Sequence, residues 1–131
     1  MRRGEQLNWI KNIVSTMNIT NPALKTFLLT HPLIVGHGGK GTHQDMDGDH
    51  DRPFVEWVNG EDSDYPEGQY VEAVFCGHWH ENWIFHDITV DNMNNENPLH
   101  YDDPTCLRAL YFKYPTFYIE TTTATKEYKH D

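Results

Sequence analysis

Two imidazoles one residue apart, His78 and His80 in Gly77-His78-Trp79-His80, are the clearest chemical signal in the chain. They follow an apolar run at residues 70–75 that reads as a buried strand, and a turn after such a strand can face both rings into one cavity. Gly77 allows close backbone approach there. Neutral imidazole nitrogen is a good ligand for Mn, Fe, Zn or Ni, ions that polarise oxygen substrates and acidify bound water. His31 ends a second apolar run and directly precedes Pro32. The stretch between the two histidine sites is long enough for a crossover between neighbouring parallel strands. All three histidines then lie at the carboxyl edge of an open α/β sheet, where such folds bind ligands.

A second group of donors is acidic. Asp45, Asp47 and Asp49 alternate through Asp45-Met46-Asp47-Gly48-Asp49-His50-Asp51, with Glu56 at the twelfth place counted from Asp45. Alternating carboxylates are hard oxygen ligands suited to calcium, but His50 occupies the place where an EF-hand loop has glycine, and Pro53 follows closely. The competing reading is a solvated acidic loop beside the histidines. Trp79, Trp83 and Phe85 read first as packing and second as a stacking surface for an aromatic leaving group. His86, His100 and His130 read as surface residues, and Cys76 as a core thiol; with Cys106 it allows at most one disulfide. Asn18-Ile19-Thr20 is a lone glycosylation sequon.

The elements that must position these groups follow from periodicity. Leu7, Ile10, Val14 and Met17 recur at spacings of three and four, which predicts an amphipathic helix over 5–17. Residues 24–30 read as a buried strand, 33–52 as a long glycine-rich and acidic loop, and 53–58 as a brief helix. Residues 59–68 form a polar connection. Strands are expected over 70–75 and 83–90, then an Asn- and Asp-rich surface loop over 91–104. Residues 107–112 and 116–125 read as two strands that could join as a hairpin through Lys113, Tyr114 and Pro115. The fold class is α/β, in one domain spanning 1–131.

Composition bounds the partners. With 10 Lys and Arg against 20 Asp and Glu, the formal charge of the 131 residues is −10 with nine histidines neutral. Such a chain has no basic stripe to displace counterions from a phosphate backbone, which argues against nucleic-acid binding unless bound divalent cations invert the local field. No apolar run approaches the roughly 20 residues that span a bilayer, so no membrane segment is expected.

The order of motifs resembles the C-terminal half of the calcineurin-like metallophosphoesterase superfamily. The helix around Glu5-Gln6-Leu7-Asn8-Trp9-Ile10, the strand Phe27-Leu28-Leu29-Thr30-His31-Pro32-Leu33 and the segment Val74-Phe75-Cys76-Gly77-His78-Trp79-His80 match that family's helix, its His-and-Pro strand end and its Gly-His-x-His motif. Tyr118-Ile119-Glu120-Thr121-Thr122 resembles its closing strand. The resemblance implies part of a four-layer αββα sandwich with a dinuclear metal centre that hydrolyses phosphate mono- or diesters. His78 and His31 correspond to ligands of the second metal and His80 to a ligand of the first. The family places one residue between the equivalent of His31 and the proline, so His37 is the alternative ligand. Its Asp-x-His, Gly-Asp-x-x-Asp and Gly-Asn-His-Asp/Glu motifs do not occur before His31, and Gly48-Asp49-His50-Asp51 carries Asp for Asn on the wrong side of it. The chain is therefore expected to be an incomplete domain, inactive alone, and completed by an N-terminal half or by oligomerisation. The other reading is a non-catalytic metal-binding or assembly module derived from a truncated phosphoesterase.

Overall fold

A computed structural model describes residues 3–31, 35, 48–77, 82–94 and 113–121, without the side chains at 3 and 48–50. Helix α1 runs Arg3–Thr20, longer than the expected 5–17 at both ends. Its Leu7, Ile10 and Val14 face the core. The Asn21 N–H donates to the Met17 carbonyl at 2.9 Å, satisfying a carbonyl that would otherwise be orphaned, while Asn18 Nδ2 and Thr20 Oγ1 add second bonds to the Val14 and Thr16 carbonyls, each at 2.9 Å. Pro22 cannot continue the helix. Asn18 is thus buried on α1, with its side-chain amide nitrogen already engaged.

Four strands form one sheet: β1 (Thr26–Thr30), β2 (Val71–Cys76), β3 (Trp83–Phe85) and β4 (Phe117–Glu120), in the order β1-β2-β4-β3. β1 and β4 pair in parallel with β2, while β3 runs antiparallel to β4. The described chain is therefore mixed α/β, with two helices and a four-stranded mixed sheet. The crossover from β1 to β2 passes through helix α2 (Gly48–Val58) and a 3₁₀ turn at Pro66–Tyr70. Helix α2 starts five residues before the expected one, inside what reads as loop. Pro53 removes only its own bond to the Asp49 carbonyl, whereas Phe54, Val55, Trp57 and Val58 are all buried along one face. Burial outweighs the lost bond. The helix stops at a Schellman motif in which Glu61 N–H reaches the Glu56 carbonyl and Gly60 N–H that of Trp57, both at 2.9 Å. Gly60 takes φ +75°, the left-handed conformation this ending demands.

Two expectations in the second half are corrected. The strand expected over 83–90 ends at Phe85, because Asp87 adopts φ 49° and the chain turns. That turn is stitched by Thr89 and Asn92, whose backbone N–H groups each donate to the other's side chain, and by Asn59 Nδ2 on the Ile88 carbonyl. The hairpin between 107–112 and 116–125 fails on β4, both of whose edges are taken, one by β2 and the other by β3; residues 107–112 lie outside the described residues. Within the loop expected over 91–104, Met93 is fully buried.

Strand alternation assigns two faces. Leu28, Val74, Tyr118 and Phe85 share one face and join the helical residues Val14, Phe54, Val55, Trp57 and Val58 in a single core. Phe27, Leu29, Ala73, Phe75, Phe117, Ile119 and Ile84 share the other. There Phe27 is 58% and Leu29 86% exposed, with Phe27 and Phe75 ring centroids 6.5 Å apart. Beside the core, Lys11 of α1 is tied to Asp62 at 2.7 Å and lies over the Tyr65 ring.

Gly68 of the 3₁₀ turn lies so close to α2 that a Cβ there would overlap the Trp57 carbonyl oxygen and meet its indole. Gly68→Ala is expected to lower stability by about 2 kcal/mol or more in urea melts. Gly4→Ala, with nothing within 4 Å of the added methyl, should instead be neutral or raise it by about 0.5–1 kcal/mol. Burial pushes the Asp62 carboxyl up, but the Lys11 hydrogen bond and charge, with the N–H groups of Asp64 and Tyr65, outweigh it and hold it below its ordinary 3.8. A depressed carboxyl stabilises the fold above its unfolded value and loses that contribution as pH falls through the folded one. Stability measured against pH below about 4 should therefore flatten in Asp62→Asn.

Candidate metal centre

The parallel pairing of β1, β2 and β4 brings three strand ends to one edge. Thr30 is in register with Cys76, and Cys76 with Glu120. Beyond the register the backbone continues the row: Gly77 N–H donates to the His31 carbonyl at 3.2 Å, and Thr121 N–H to that of Cys76 at 2.9 Å. His31 and Gly77, far apart in sequence, are therefore side by side, as the reading of two neighbouring parallel strands requires. His31 is exposed. His78 and His80 follow Gly77 in the chain and lie outside the described residues, as do His37, Asp45 and Asp47.

Asp49 falls in the first turn of α2, and only its backbone is described. The alternating loop of Asp45, Asp47 and Asp49 is thereby interrupted: from Gly48 the chain is helical, and positions two apart on a helix point about 200° apart rather than to one side. A calcium loop reaching to Glu56 is not compatible with that helix, since its ligands through the ninth place come from non-helical chain.

The carboxylates that the structure buries are others. Glu120, at the end of β4 beside Cys76, is 1% exposed, and Asp51, in the first turns of α2, is 4% exposed. Asp51 there has the sign that a helix N-terminus favours. Glu120 carries a signal in the sequence, an acid two residues after an inward-facing Tyr in an otherwise apolar strand, one that strand propensity alone passes over. His86, read as a surface residue, is 2% exposed, with its ring 6.1 Å from that of Phe117. It follows β3 directly, so it falls beside Phe117 in the antiparallel register.

Other side chains near the edge are chemically quiet. Burial above all, and then the neighbouring Cys76, push the Tyr118 phenol far above its ordinary range, so it stays neutral and is no phenolate nucleophile. The Cys76 thiol is buried and directed at the Ile119 carbonyl at 3.7 Å, as a core cysteine would be. Trp83 and Phe85 stack on each other with centroids 6.1 Å apart and planes 7° from parallel, which favours packing over a role for either ring alone. Among the described residues no group of three or more His, Cys, Asp and Glu is placed to hold a metal ion. Among them, too, no helix is long and apolar enough to cross a membrane. No family model, curated protein or solved structure matches this chain.

Proposed function

We propose that this chain supplies the histidine ligands His31, His78 and His80 of a divalent-metal centre that hydrolyses phosphate mono- or diesters. The observation that carries the reading is the backbone bond between Gly77 and His31. It puts the residue that leads into His78-Trp79-His80 beside the other candidate histidine, at the edge where open sheets bind ligands. The donors are imidazole nitrogens, which suit Mn, Fe, Zn or Ni. Such a centre would supply an acidified water and positive charge for phosphoryl oxygens. The residues of this chain would bind and orient the metal through neutral imidazoles.

The sandwich belongs to the same proposal. In an αββα plan a second sheet stacks on the face of the first that is turned away from its helices, and here that face carries Phe27 and Leu29. Strands that run parallel are found almost only in sheets covered on both faces. The bridging aspartate and the catalytic histidine motif are not supplied by the residues before His31. On this reading the chain alone binds metal without turning over substrate.

A calorimetric titration with Zn²⁺ or Mn²⁺ tests it. Binding should weaken as pH falls through about 6.5, where imidazoles take up protons. His78→Ala with His80→Ala should abolish it and His31→Ala should weaken it, typically tenfold or more. Affinity unchanged in the double variant would remove the site. Hydrolysis of a model phosphodiester by the chain alone should stay at background, and turnover dependent on these histidines would show that the missing groups are present after all.

A further inference from the structure

We propose that Asn59 is a modification site and a latch: its side-chain amide holds the turn after β3 onto the end of α2, and its deamidation, which requires that end to open, releases the turn. The inference is independent of the metal reading. Asn59-Gly60 is the single Asn-Gly pair in the chain. Asparagine is a thermolabile residue, and a following glycine offers its backbone nitrogen without a Cβ to obstruct the approach. The step balances with water alone. The Gly60 nitrogen gives its proton to hydroxide and bonds to the Asn59 side-chain carbonyl carbon. The bond from that carbon to Nδ2 breaks, and Nδ2 takes up a proton and leaves as ammonia. Water then opens the cyclic imide at either carbonyl, leaving aspartate or isoaspartate.

The fold holds each participant of that step. The Gly60 N–H, which must lose its proton, donates to the Trp57 carbonyl at 2.9 Å, and the Asn59 N–H to that of Val55 at 3.0 Å. Nδ2, the leaving group, donates to the Ile88 carbonyl at 2.8 Å. Attack therefore waits for the helix ending to come apart. Gly60 is exposed and Asn59 half-buried, so that opening is local and does not require the sheet to unfold. On the far side of the bond lie Ile88 and Met93, 1% and 0% exposed, in a segment without helix or strand. Asn59 thus fixes the approach of two core side chains. An amide nitrogen donates and a carboxylate only accepts, so after deamidation an oxygen faces the Ile88 carbonyl oxygen. The new negative charge also falls at the C-terminus of α2, the end that favours cations and has no basic residue in its last turn. Isoaspartate lengthens the backbone as well, which the bonds of the helix ending do not accommodate. All three changes loosen the same contact.

Peptide mapping by mass spectrometry of the full chain, incubated at mildly alkaline pH with and without about 8 M urea, which unfolds most small domains, tests the gate. Asn59 should convert at least about tenfold more slowly in the folded chain, because only the open fraction reacts. Asn12, followed by Ile13, is the internal reference and should lag behind Asn59 in urea. Equal rates at Asn59 in the folded and unfolded chains, or a rate in urea no faster than that of Asn12, would overturn the proposal. Hydrogen exchange reads the latch. Asn59→Asp, the product of the reaction, should speed exchange of the Asn92 and Met93 amides, both bonded to the Thr89 carbonyl, while those of β1 and β2 keep their rates. The expected increase is about tenfold or more, for a lost hydrogen bond with added repulsion. Asn59→Ala removes the donor without adding charge and should move the same amides in the same direction by less; it carries the test if the aspartate variant does not fold. Unchanged exchange at Asn92 and Met93 in the alanine variant, or an equal rise across β1 and β2, would show that Asn59 holds no latch there.

Discussion

The crossover from β1 to β2 closes because Gly68 brings no side chain to Trp57. Parallel neighbours need a connection that leaves one end of the sheet and returns to the other, and the returning chain must pack on the helix that made the outward trip. Here the 3₁₀ turn touches both helices and leads straight into β2. It can lie that close only at a residue without a Cβ. Trp57 itself is wholly buried, in edge-to-face contact with Phe54, and its indole N–H finds no hydrogen-bond partner among the described residues. Tyr118 is in the same position with its hydroxyl. Each such orphan costs about 1–3 kcal/mol, so apolar contact in this core is strong enough to carry both.

Periodicity made the elements of that core legible where burial was one-sided. Helix α1 could be read because Leu7, Ile10 and Val14 repeat at helical spacing, and β1 and β2 because of the apolar runs before His31 and Gly77; but β1, expected to be buried, lies at the sheet edge with Phe27 and Leu29 exposed. Helix α2 was only half legible. Its first turn is written in Gly, Asp, His and Asp, residues that favour loops in isolation, and it is helical because Phe54, Val55, Trp57 and Val58 beyond it are buried. The strand at 83–90 was overread for the opposite reason: Ile88 and Val90 look like strand residues, yet Ile88 is buried from within a turn set by Asp87 and Asn92. No local pattern separates those cases.

For the candidate centre, sequence could supply the imidazoles and their strand ends but not the lateral order of the strands. Only pairing shows that β4 lies between β2 and β3, and this places Glu120 in the row with Cys76 and Thr30, one residue before His31 and Gly77. The acids that stood out in sequence, Asp45, Asp47 and Asp49, did so because they crowd together. Glu120 stands alone among apolar neighbours. An acid with inward parity in an apolar strand is the better sign of a buried carboxylate, since taking a charge out of water is costly unless something compensates it.

The same strand order has a consequence in time. Thr30 bonds to Phe75, and Thr116 to Val71, across 45 residues in each case. Neither of the two long loops involved is rewarded until it has closed, and β3 gains a sheet partner only once β4 arrives. Chains whose contacts are this distant assemble slowly. Meanwhile β1, with Phe27 and Leu29 on one side and Leu28 on the other, is a finished strand waiting for neighbours that have yet to be made into strands. Slow assembly with early, sticky edges is the circumstance in which synthesis rate and chaperone supply govern yield more than the stability of the final fold.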